Sequence, residues 1–99
     1  MVKHMIIWKL KLEGEALEAQ KKLIKENLEG LMGKIPGMTY INVQTDILPT
    51  SNGDLMLDST FDDAAALEGY SGHPDHVHVA STYIRPYIET RMCIDYEVE

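Results

Sequence analysis

Three of the four histidines fall within six residues, in the stretch His73-Pro-Asp-His76-Val-His78, and Tyr70 stands just before them. Imidazole is the side chain whose charge changes nearest neutral pH, and it is also the commonest metal ligand. An inward-facing imidazole near its ordinary pKa of ~6.5 can take a proton from, or return one to, a bound molecule. A phenol beside it can donate a hydrogen bond to an oxygen that gains negative charge. His76 and Tyr70 are therefore the candidate catalytic pair: His76 removes a proton α to a carbonyl while Tyr70 steadies the oxygen. The plainer meaning is structural, a hydrogen-bonded His–Tyr pair that fixes a helix to a sheet. His73-Pro74-Asp75 also reads as a helix start, because proline at the first helical position loses no hydrogen bond and an acidic first turn suits the helix dipole. His73 and His78 are accordingly read as boundary and surface residues. Metal binding by the cluster is disfavoured: at ~100° per residue, His76 and His78 point about 200° apart on a helix. No cysteine pair or H-E-x-x-H motif accompanies them. The expectation is no metal and no cofactor.

These groups need elements to position them. His4, Ile6, Trp8, Leu10 and Leu12 alternate with Lys3, Met5, Ile7, Lys9 and Lys11, which predicts a strand. Leu17, Ile24, Leu28 and Leu31, flanked by Leu23, form a helical stripe within Glu15–Met32, closed by Gly33 and Pro36-Gly37. Alternation returns over Thr39–Leu48, and the Asn-Gly of Pro49–Gly53 signals a hairpin turn into a strand carrying Leu55, Leu57, Ser59 and Phe61. A short helix, Asp62–Tyr70, is followed by a second that starts at the histidine cluster and runs to about Arg85, where Pro86 disturbs it. Arg91–Val98 is the last strand. The order βαββαβ is the ferredoxin-like α+β arrangement, a four-stranded antiparallel sheet with helices on one face, in a single domain over residues 1–99.

Sorted by face, Ile6, Trp8, Leu10, Ile41, Val43, Leu55, Leu57, Ile94 and Tyr96 should meet the helices. The opposite face mixes Met5, Ile7, Met56 and Cys93 with Tyr40, Asn42, Asp58 and Arg91. A second subunit covering that face would close two sheets into a barrel. His4, on the helix-side face, and His76, with Ala80 and Tyr83 on later turns, should converge with Tyr70 near Trp8 and Phe61. His4, Trp8, Phe61 and Tyr83 are thus the candidate substrate-binding residues around a small apolar pocket. Cys93 reads as a filler at the subunit contact with no histidine beside it, which argues against a cysteine nucleophile.

Composition narrows the classes. The net charge of −7 argues against nucleic-acid binding and against an anionic membrane surface. No apolar run approaches the ~20 residues that span a bilayer, and the N-terminus does not read as a signal peptide. A single cysteine fits a reducing, cytoplasmic setting.

Nearly the whole chain resembles the stress-responsive A/B barrel domain (Dabb) family. The resemblance rests on KHMIIWKLK, the Ile-Pro-Gly after the first helix, the FDDAAALEGYSGHPDHVHV block and the ending IRPYIETRMCIDYEV; Tyr70-x-x-His-Pro-x-His76 is its most specific part. It implies a homodimeric ferredoxin-like α+β barrel. Through a plant branch of the family, olivetolic acid cyclase, it also implies His76 as the catalytic histidine, Tyr70 as its partner and His4 in the same pocket. Related barrels include haem-degrading enzymes, but no residue here selects haem. Two functions follow as expectations. One is a cofactor-independent, polyketide-cyclase-like lyase or isomerase acting on a small apolar carbonyl or phenolic compound. The alternative is a non-catalytic dimer that binds a small ligand or serves a structural stress role.

Overall fold

Alternation builds the first strand: β1 (Val2–Leu10) buries Val2, His4, Ile6, Trp8 and Leu10 on one side, as its two-residue period requires. The computed structural model describes residues 1–98; Glu99, the end of the expected domain, lies outside the described residues. After β1 come α1 (Gly14–Glu29), β2 (Met38–Gln44), β3 (Leu55–Phe61), α2 (Ala64–Gly72), α3 (Pro74–Val79) and β4 (Ile88–Glu97). The sheet order is β2-β3-β1-β4, with every neighbouring pair antiparallel. This is the ferredoxin-like α+β fold that the element order predicts, with the helices on one face of the sheet.

α1 lays Ile24 and Leu28 into the core, and Leu31 and Ile35 continue its stripe past the helix end. Each such side chain contributes roughly 1.5–3 kcal/mol relative to exposure. Leu23, expected to flank the stripe, is exposed instead. At its C-terminal end α1 also caps the free edge of β2. The Glu29 carboxylate accepts from the Val43 N–H at 2.8 Å, and Lys25 donates to the Val43 carbonyl at 2.7 Å. Both edge groups are thereby withheld from a foreign strand.

Two expectations fail for local reasons. β2 ends at Gln44 rather than Leu48, and Asn52-Gly53 is not a two-residue hairpin turn. Such a turn needs positive φ at asparagine, and no described residue other than glycine has it. Bonds to β1 win instead: the Asp54 N–H donates to the Trp8 carbonyl, and the Asp54 carboxylate accepts from the Leu10 N–H, each at 2.8 Å. Gly53 is needed there because a Cβ would lie 2.7 Å from the Ile7 side chain.

The second failure is the parity of β4. Ile94 and Tyr96 were expected against the helices, with Arg91 and Cys93 opposite. The register pairs Leu10 with Ile88 but Lys9 with Thr90, leaving Glu89 as an extra residue in β4. A bulge of this kind reverses the alternation beyond it. Ile88 packs on the core, yet Arg91, Cys93 and Asp95 pair with Trp8, Ile6 and His4 and share their helix-side face. Met92, Ile94 and Tyr96 join Ile7 on the open face, Met92 and Ile94 being 72% and 62% exposed. Among the described residues, no helix is long and apolar enough to cross a membrane.

Candidate ligand-binding site

The break between α2 and α3 creates the site. Asp63 caps α2 by accepting from the Ala66 N–H at 2.8 Å, and the helix carries Tyr70 into the core, where it is 2% exposed. Extended backbone at His73 (φ −66°, ψ 132°) stops the helix, as expected before proline. The His73 ring then caps α3, its Nδ1 accepting from the Asp75 N–H at 3.1 Å. His76 therefore falls in the first turn of α3, directly over Tyr70: their ring centroids are 4.0 Å apart at 36°. Beyond Val79 the chain widens into a π-helical turn, Ala80–Ile84, and then a 3-10 turn, Arg85–Tyr87. Widened turns of this type recur at functional sites.

Between these helices and the sheet lies a cavity of about 100 Å³. Ile6, Trp8, Leu28 and Leu57 form its apolar floor, with Tyr70 and His76 at one side and Ala80, Ile84, Arg85, Ile88 and Arg91 around the rest. Among the described residues, two of the side chains that line it carry a buried polar atom without a hydrogen-bond partner, the Trp8 indole N–H and the Tyr70 hydroxyl. Leaving such groups unpaired costs about 1–3 kcal/mol each.

The titrating groups are tuned to complementary states. Burial lowers the His76 pKa; the hydrogen bond to the Ser71 carbonyl opposes this, and the charges of Arg85, His4 and His73 add to it. His76 is thus a neutral base at pH 7. With Nδ1–H donated to the Ser71 carbonyl at 3.4 Å, the lone pair resides on Nε2. Burial raises the Tyr70 pKa far above that of a free phenol, with the Arg91 charge pulling it back, so Tyr70 is a protonated donor. A neutral base beside a protonated hydroxyl can move a proton and stabilise an oxyanion.

The sequence-derived residues are distributed unevenly around this cavity. Trp8, Tyr70 and His76 line it. His4 and Phe61 stand behind Tyr70, with ring centroids 5.9 and 5.1 Å from it. Tyr83 does not reach the lining: its carbonyl accepts from the Gln20 side chain, and its ring lies edge-on to His78. Arg85 and Arg91 were missed, Arg91 because the bulge at Glu89 has no signature in the alternation. Cys93 is also misplaced by that bulge; its sulfur is 3.7 Å from His4 Nδ1. A larger hollow of about 610 Å³ opens between Ile7, Gly53 and Met92. It is a wide surface groove without the His–Tyr pair.

The sequence profile of the stress responsive A/B barrel domain, Dabb, matches residues 2–98. The chain belongs to the Dabb family. Sequence comparison with curated proteins finds no match. Among solved structures, a dimeric ferredoxin-like protein of unknown function from Bacteroides fragilis is 30% identical to this Dabb chain, with a TM-score of 0.90 over 98% of this chain and 95% of that one. A Dabb family protein from Mesorhizobium loti is 26% identical, with a TM-score of 0.79 over 99% and 96% of the two chains. A hydroxynitrile lyase from Passiflora edulis is 19% identical, with a TM-score of 0.80 over 99% and 93%. That last likeness is one of fold.

Proposed function

We propose that this Dabb chain is a homodimeric, cofactor-independent lyase or isomerase for a small carbonyl compound. The observation that carries the reading is the stacked pair of Tyr70, whose buried hydroxyl has no hydrogen-bond partner among the described residues, and the neutral imidazole of His76, both lining one cavity. His76 Nε2 takes the α-proton, and the electron pair passes through the C–C bond to the carbonyl oxygen. The resulting enolate oxygen accepts from Tyr70. The His76 imidazolium then returns the proton at another atom in an isomerisation; in a cleavage the enolate re-forms the carbonyl and the α,β double bond, the bond to a β-substituent breaks, and the imidazolium protonates that departing group. The positive charges of Arg85 and Arg91 favour the anionic intermediate. Pockets for drug-sized ligands run to ~300–1,000 Å³, so a cavity of about 100 Å³ favours a substrate of few non-hydrogen atoms and disfavours a long polyketide tail.

The same small volume is the observation that favours a second reading, a non-catalytic dimer in which the His–Tyr stack is packing. α-Proton exchange in D₂O, followed by NMR over a panel of small ketones, β-keto acids and hydroxyketones, separates the two. Exchange that is lost in both His76→Gln and Tyr70→Phe supports the enzyme. No exchange with any compound, or exchange indifferent to His76→Gln, leaves the structural dimer.

Dimerisation through the open sheet face is supported by its exposed Ile7, Met92, Ile94 and Tyr96 and by the dimeric Bacteroides relative. A free, exposed Cys93 suits a reducing compartment such as the cytoplasm.

A further inference from the structure

Behind Tyr70, on the helix-side face of the β1–β4 pair, three unlike side chains converge. His4 Nδ1 is 2.5 Å from Asp95 Oδ1 and 3.7 Å from Cys93 Sγ, and Cys93 Sγ is 3.6 Å from the same Asp95 oxygen. The register explains the convergence: Asp95 is the direct partner of His4, and Cys93 is two residues away on the same face of β4. The arrangement is not that of a cysteine nucleophile with its base and orienting acid. In such a triad the thiol and the carboxylate engage opposite ring nitrogens, as the two partners of the base do in serine hydrolases. Here both approach Nδ1.

One nitrogen, one sulfur and one carboxylate oxygen around a common point are the donor set of a borderline divalent metal. A tetrahedral zinc ion with bonds of ~2.0 Å to nitrogen and oxygen and ~2.3 Å to sulfur places N···S and O···S about 3.5 Å apart, and N···O about 3.3 Å apart. The two sulfur edges already match. Only the His4–Asp95 edge, now a hydrogen bond, must open, by about 0.8 Å on that geometry. Asp95 has the freedom to do so, its side chain being 44% exposed against 8% for His4.

We infer that His4 Nδ1, Cys93 Sγ and the Asp95 carboxylate form a binding site for a zinc-class divalent ion, with the fourth position open to water. Both strands hold their ligands on hydrogen-bonded backbone, so the site is largely preformed. The rings of Phe61 and Tyr70 back His4, 6.4 and 5.9 Å away between centroids, and fix its orientation. Binding moves the proton off His4 Nδ1, to Nε2 or to solvent, and releases the Cys93 thiol proton to solvent, so no redox partner is needed. Because a thiol must lose its proton to ligate, occupancy rises with pH. The ion would staple the exposed edge strand β4 to β1. The site shares no ligand with the carbonyl cavity, and its test is independent of turnover.

Cobalt(II) added to the full chain under a phosphine reductant supplies the test, followed by zinc displacement. The expected result is one cobalt per chain, a near-ultraviolet thiolate-to-cobalt absorption band and a melting temperature raised by several degrees. Cys93→Ser, at an exposed position, removes the band while circular dichroism shows the fold intact, and Asp95→Asn weakens binding at least tenfold. The inference is overturned if no thiolate band forms at micromolar cobalt, or if one cobalt is shared by two chains. It is equally overturned if binding survives both substitutions or is lost instead in His73→Gln or His78→Gln.

Discussion

Tyr70 and His76 stack across a broken helix, with ring centroids 4.0 Å apart, and the break at His73-Pro74 is what allows it. In one continuous helix, residues six apart point about 120° away from each other, at ~100° per residue, and lie about 9 Å apart along the axis. Ending α2 at Gly72 and restarting at Pro74 folds the base back over the phenol. The pair is thus a product of the turn that the sequence announces most clearly.

Tyr70→Phe should raise stability and weaken α-proton exchange together. The phenol oxygen is buried without a partner, and its removal relieves a penalty of about 1 kcal/mol or more. For a domain of this size that corresponds to a melting temperature higher by about 4–8 °C. The same substitution removes a donor from the cavity, so α-proton exchange should fall at least tenfold. A lower melting temperature would mean that the hydroxyl has a partner in the folded chain.

His76 should impose a pH dependence below neutrality. Its folded pKa is lowered, chiefly by burial, so between that value and ~6.5 the unfolded chain binds more protons. The stability associated with His76 is complete above ~6.5 and is lost as pH falls toward the folded value. Exchange activity follows the neutral imidazole of the folded chain, so it holds through that window and falls only as pH drops past the folded value. In urea melts from pH 7.5 to 5, His76→Gln should flatten part of the decline. A His76 ring titration by NMR with its midpoint above ~6.5 would contradict the burial argument.

Gly37 is a position where the backbone admits little else. Its φ is +80°, and a Cβ would lie 2.5 Å from Ala66 Cβ. Gly37→Ala should cost about 2–3 kcal/mol through left-handed strain and displacement of α2. Because α2 carries Tyr70, the substitution should also weaken exchange activity, whereas Gly69→Ala on the same helix, where a Cβ meets nothing within 4 Å, should leave exchange unchanged and raise stability by about 0.5–1 kcal/mol through helix propensity. Equal melting temperatures for Gly37→Ala and the parent would refute this account.

The legible and illegible parts of this molecule divide by physical cause. Periodicity exposes β1, α1 and the helix side of β2 and β3, because their apolar residues recur at the spacing that burial demands. His73-Pro-Asp announces the start of α3 through capping chemistry that is local in sequence. The parity of β4 was not legible. One extra residue at Glu89 reverses every side chain after it, and Ile94 and Tyr96 look no different on either face. From that single reversal follow the missed Arg91, the misread Cys93 and the unforeseen meeting of His4 with Asp95. Tyr83 was overextended for another reason. Helical spacing of 3.6 stops applying where the chain widens at Ala80–Ile84, so its ring is turned toward His78.

Reversal of β4 strengthens the expectation of a dimer, and Ile94→Lys tests it. With Met92, Ile94 and Tyr96 beside Ile7, the open face carries a continuous apolar band that a lone sheet would leave in water. Exposed apolar bands of this kind mark association surfaces. Ile94 is largely exposed in the protomer, so a lysine there leaves the monomer fold unharmed. In a face-to-face sheet contact the same lysine is a desolvated charge: Lys3 stands diagonally across from it in the register, and the open-face carboxylate of Asp58 is already paired with Lys3. An unpaired buried charge costs about 3–5 kcal/mol, which weakens dimerisation by a factor of at least ~10². Sedimentation equilibrium should show a parent dimer and a monomeric variant with the same far-ultraviolet circular dichroism. If Ile94→Lys remains a dimer of unchanged affinity, the chains associate through another surface, and the exposed band on β4 needs a different occupant.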